Sequence, residues 1–182
     1  MRIITIAAIS SLIFVSSAHA ADDAEMQAGS LFNIYQSMCM KYLNNMDDLR
    51  SKLKDLPKLP PEKASSFLQG MPGSAWPVPD KYGLFVLALH ESKNLCIVYG
   101  RRANAAIVER KFVEIFNQAP EPLISSRVKD ERIEAKSNGP VHTFSYSWAA
   151  PKAQRKMLFT LSTATSPDAQ LQATLSAATT ND

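Results

Sequence analysis

Apolar positions along this chain follow two spacings, and the places where one gives way to the other mark its elements. Leu31, Ile34, Tyr35, Met38, Cys39 and Tyr42 fall on one helical face, with Ser30 placed to cap it. Asn44-Asn45 breaks that run. A shorter helix follows, with Leu49, Leu53 and Leu56 inward and Asp47 and Asp48 at the N-terminal end, where acidic charge suits the helix dipole. Pro57, Pro60 and Pro61 form a stiff connector, and Pro61 opens a third short helix, Pro61–Leu68, that Gly70 ends. The stretch Met71–Asp80 centres on Trp76-Pro77-Val78-Pro79, and its proline and glycine content predicts an ordered loop.

The spacing then becomes extended. Leu84–His90 and Leu95–Gly100 are apolar on both faces, the mark of strands covered on two sides, and Glu91-Ser92-Lys93-Asn94 joins them as a turn. Asn104 caps a helix to about Asn117, with Val108, Phe112, Ile115 and Phe116 inward, and Pro120 and Pro122 end it. Leu123–Ala135 is charged, with few residues able to bury, and is expected to be an exposed edge strand. After the turn Ser137-Asn138-Gly139-Pro140, Val141–Trp148 alternates His142, Phe144, Tyr146 and Trp148 against Thr143, Ser145 and Ser147. Lys156–Thr163 gives a last strand. Ser166-Pro167-Asp168 then opens a predicted terminal helix through Leu171 and Leu175, and 179–182 is expected to fray.

The expected architecture is therefore α+β: one antiparallel sheet of about five strands, with N-terminal helices, one inserted helix and a C-terminal helix packed on it. The inner order ββαβββ is similar to that of PAS and profilin-like sandwiches, a likeness of element order that transfers no function.

The N-terminus adds a compartment. Arg2, the apolar run Ile3–Val15 and Ala18-His19-Ala20 match the three regions of a cleavable signal peptide. Residues 1–20 are expected to be removed, 21–29 to be a flexible acidic segment, and 30–178 to form a single domain of the usual size. Position 21 is alanine, so lipid anchoring there has no cysteine to use. The expected setting is the periplasm. No later apolar run is long enough to span a bilayer. The chain's net charge of +3 is spread among interspersed acidic and basic residues, which favours neither nucleic acid nor an anionic membrane. Two cysteines remain, Cys39 and Cys96, and in an oxidising compartment an isolated pair is most simply a disulfide.

Catalytic chemistry is sparse in the pattern. His90 and His142 are the histidines left after processing; no nucleophile elbow, metal-ligand spacing or phosphate-binding glycine loop accompanies them. No cofactor or metal is expected. A Ser-His-Asp site could be drawn from Ser145 or Ser147 with either histidine. Asp130 and Glu131 point to opposite faces of a strand and cannot share a substrate. Phe144, Tyr146 and Trp148 are either core or the lining of a ligand site. Trp76 is either docked within the chain or an interaction anchor, and Arg101 and Arg102 form a basic spot suited to an acidic partner.

The runs Pro57-x-Leu59-Pro60-Pro61-Glu62, Phe67-Leu68-x-Gly70-x-Pro72-Gly73-x-Ala75-Trp76 and Arg155-Lys156-Met157-Leu158-Phe159-Thr160, with the cysteine-bearing strand between, resemble a family of uncharacterised small exported proteins and lipoproteins of Gram-negative bacteria. The resemblance implies a periplasmic setting and carries over no catalytic residue. The expected function is a non-enzymatic binding or interaction protein, an inhibitor or accessory of an envelope system with a protein partner. A small-ligand carrier using the aromatic face and a cell-envelope hydrolase are the alternatives.

Overall fold

The computed structural model describes residues 17–91, 93–135 and 138–181. The expected leader lies for the most part outside these residues, as do Ser92 and Ser137 of the two expected turns. The elements are α1 (Ser17–Ile34), continuing into a π-helical turn (Tyr35–Met40), α2 (Met46–Leu53), α3 (Pro61–Leu68), β1 (Gly73–Pro79), β2 (Leu84–His90), β3 (Leu95–Arg101), α4 (Ala105–Phe116), β4 (Ile124–Ala135), β5 (Gly139–Ala149), β6 (Arg155–Ala164) and β7 (Ala173–Asn181). The class is α+β with one antiparallel sheet, as expected, but the sheet has seven strands in the order β1-β2-β3-β7-β6-β5-β4. Two meanders, β1-β2-β3 and β4-β5-β6-β7, join where β3 pairs with β7.

Both extra strands come from segments expected to be something else. Trp76-Pro77-Val78-Pro79 is not a loop but part of edge strand β1, paired on one side with β2. Its prolines are tolerated because they share one edge of the strand. The Ala75 carbonyl accepts from the Leu59 N–H at 2.8 Å, so Ala75 turns its polar groups outward. Pro77 and Pro79 follow at the same parity and withhold N–H groups only from that outer edge. The predicted C-terminal helix is a turn followed by β7, and residues 179–181, expected to fray, are strand. In β7 the alternation governs: Ala173, Leu175 and Ala177 are fully buried on one face, with Thr174 and Ser176 on the other. The segment 21–29 is helical within α1, with Ala28 buried.

The helices segregate by face. Leu31, Tyr35, Cys39 and Leu43 recur every four residues through the π-helical turn and are all buried. With α2 and α4 they cover the face formed by Trp76, Phe85, Leu87, Val98, Phe144, Phe159 and Leu175. Among the described residues, the apolar cover of the opposite face lies over β1-β2-β3, where Ala64 and Leu68 of α3 meet Ala75, Ala88, Ile97 and Tyr99. This explains why β2 and β3 are apolar on both faces whereas β5 alternates. On β5 and β6 the second face carries hydroxyl pairs, Thr143 with Ser162 and Ser145 with Thr160, each at 2.7 Å.

Cys39 and Cys96 lie at disulfide distance, 57 residues apart in sequence, and both are buried. Cys96 stands opposite Ala177 in the β3–β7 register. The alanine leaves room for the π-helical turn, whose Tyr35 hydroxyl donates to the Ser176 carbonyl at 2.7 Å. Burial pushes the Tyr35 phenol well above its ordinary range.

Candidate functional site

The two edges of the sheet differ in kind. The outer edge of β1 is occupied by the Leu59 connector and blunted by Pro77 and Pro79. The other edge is β4, twelve residues long and paired only with β5. A bulge between Arg127 and Lys129 leaves Val128 outside the ladder. Ile124, Val128 and Ile133 are each more than half exposed, making β4 the element richest in exposed large apolar side chains among the described residues. Between them, charges pair along the strand: Arg127 with Asp130 at 2.7 Å and Lys129 with Glu131 at 2.8 Å.

The bulge sorts these charges by face. Arg127 lies opposite Tyr146, and Asp130 opposite Phe144, on the helix-covered face; Lys129 and Glu131 lie opposite Ser145 and Thr143 on the other. The Arg127 guanidinium sits 5.3 Å from the Phe144 ring centre and covers the end of the aromatic stripe. Asp130 and Glu131 thus do point to opposite faces. Nε2 of His142 lies 2.8 Å from Asp130 Oδ1, and this hydrogen bond, helped by Arg127 and Arg132, holds the Asp130 carboxyl below its ordinary value.

The aromatic stripe is core. Phe144, Tyr146 and Trp148 are buried under α4, with Phe112 5.2 Å from Phe144 and Phe116 5.4 Å from Trp148. The volume that a ligand would need is filled by these two rings, which corrects the reading of the stripe as a ligand lining. Trp76 is likewise no exposed anchor. It is buried, and its indole N–H donates to the Leu53 carbonyl at the C-terminal end of α2, at 3.1 Å. Arg101 and Arg102 do remain exposed at the end of β3. Arg102, in the left-handed region with φ 61°, donates its backbone N–H to the buried Gln172 side chain. It borders an open cleft of about 530 Å³ with Asn104, Thr165 and Ser166.

The structure separates the serine constellation. Ser145 bonds Thr160 on the face of the sheet opposite His142, and Ser147 shares the parity of Ser145. His90 is buried, and its two ring nitrogens have no hydrogen-bond partner among the described residues. No group of three or more potential metal ligands occurs among the described residues, and no described helix is long and apolar enough to cross a membrane.

Sequence reasoning placed the charged edge strand but missed the contact of His142 with β4 and α4. The alternation His142-x-Phe144 put the ring on the helix-covered face, and the bulge that turns Asp130 toward it leaves no local signature. No family model matches the chain, and no curated protein or solved structure was found similar to it.

Proposed function

We propose that this is an exported, non-enzymatic interaction protein of the cell envelope that takes an extended segment of a partner protein onto β4. The carrying observation is the asymmetry of the sheet, with one edge closed by a connector and prolines and the other a long strand paired on one side only and bearing Ile124, Val128 and Ile133 exposed. An open edge offers a row of backbone donors and acceptors that a partner strand satisfies, while exposed side chains beside it set the choice of partner. The alternating charges of β4 oppose indiscriminate pairing and favour a segment of complementary pattern. The buried cysteine pair supports an oxidising setting, and the leader-like N-terminus fits export.

Affinity capture from native periplasm tests this directly. The wild-type chain is expected to recover a protein at near-stoichiometric level. The double variant V128K/I133K should lose it while keeping the wild-type circular dichroism, and L84K, at an exposed site away from β4, should retain it. Recovery of no such protein, or equal recovery by V128K/I133K, would refute the proposal.

A further inference from the structure

His142 occupies an unusual position for a side chain with no assigned role. It is buried on β5, with its ring 4.7 Å from Phe144. Each ring nitrogen faces a carboxylate from a different element. Nε2 is 2.8 Å from Oδ1 of Asp130 on β4, and Nδ1 is 3.1 Å from Oε1 of Glu109 on α4, a close charge contact off the hydrogen-bond line. The other groups facing the cluster come from β4 and β6. Arg127 holds the second oxygen of Asp130 at 2.7 Å, Arg132 lies across from His142 in the β4–β5 register, and the Thr163 hydroxyl of β6 donates to Glu109.

A neutral imidazole carries one N–H, so one of its two nitrogens would turn a lone pair toward a carboxylate oxygen. The imidazolium donates to Asp130 and sets its positive charge beside Glu109. We infer that His142 is a proton-operated latch between α4, β5 and the edge strand β4. With the ring protonated, a charge-assisted bond holds Asp130 while the positive ring offsets the charge of Glu109. When the proton leaves, Asp130 keeps a neutral N–H donor but loses the attraction of the positive ring, and the second nitrogen turns a lone pair toward Glu109. The hold on β4 is complete on the acid side of the His142 titration and weakens as pH rises through it. Protonation of Asp130 sets the lower limit of this window. The functional meaning, a strand freer to accept a partner at higher pH, rests on the docking role proposed above.

The latch is testable without a partner. The His142 ring is titrated by NMR on the full chain, and backbone amide exchange of β4 and β1 is followed over the same pH range, corrected for intrinsic exchange. Opening of β4 is expected to rise about fivefold as His142 loses its proton, because the attraction between the positive ring and the Asp130 carboxylate is withdrawn while a neutral donor remains, with β1 unchanged. In H142Q the step should vanish. Flat β4 exchange across the His142 titration, or a step that survives in H142Q, would overturn the latch. Either result leaves the capture experiment unaffected, so the two ideas fail separately.

Discussion

Single buried polar groups show where this molecule is satisfied and where it is not. Trp76 and Trp148 resolve the same problem at two helix ends. Their indole N–H groups donate to the last carbonyls of α2 and α4, Leu53 and Phe116, groups that a helix leaves without an internal partner. Ser125 adds a second donor to the Phe116 carbonyl at 2.6 Å. His90 is the contrast. Burial first, and Lys93 second, lower its titration below the ordinary 6.5, so the folded state resists the proton that the unfolded state accepts. The stability contributed by the neutral ring is present above pH 6.5 and is lost as pH falls through the lowered folded value. Urea midpoints at pH 7.5 and 5 are therefore expected to fall further for the wild type than for H90F; equal falls would contradict this account.

The elements differ in how far their own residues announce them. Helices α2, α3 and α4 were legible because their caps are local: the Asn45 and Asn104 side chains accept from the third N–H beyond, and Gln69 in the left-handed region with Gly70 ends α3. The β2–β3 hairpin was legible from runs apolar on both faces, β4 from its charged, sparsely apolar character, and β5 and β6 from apolar alternation. Strands β1 and β7 were not. In β1 the prolines masked pairing that needs only one edge. Leu171, just before β7, and Leu175 stand at a helical spacing, while the alternation rests on Ala173 and Ala177 beside Leu175, whose burial depends on a sheet assembled from distant strands. The open edge was foreseen for β4, whereas its bulge and its contact with His142 depend on tertiary register. Gly73 shows how tightly β1 is seated. A Cβ there would lie 2.4 Å from the Leu89 carbonyl oxygen and 2.8 Å from Leu68 Cδ2. Since backbone is the closer obstacle, G73A is expected to cost about 2–3 kcal/mol in chemical denaturation, the range for overpacking at a site that cannot yield. A neutral substitution would show that β1 sits farther from β2 and α3 than described.

For the whole molecule, the cysteine pair and the sheet order act together. The pair ties the π-helical turn to β3, and β3 is the strand through which the two meanders are joined by β7. Closing a loop of 57 residues constrains the unfolded chain, and the chain-entropy relation gives about 4 kcal/mol for a loop of that length. C39A/C96A is expected to lose about that much in urea unfolding. Because both residues are buried, reductant should leave the native protein unreacted until it unfolds; a free-thiol signal under native conditions would contradict the described packing. The same assembly leaves β4 at the far end of the sheet from the β1 edge, long and paired on one side only. The most direct test of its role is backbone amide exchange of the complex captured from native periplasm, compared with the free chain. Protection confined to the β4 amides, with β1 unchanged, is the expected result. Protection at the Arg102 cleft or over α3, with β4 unaltered, would contradict the docking of a partner strand on this edge.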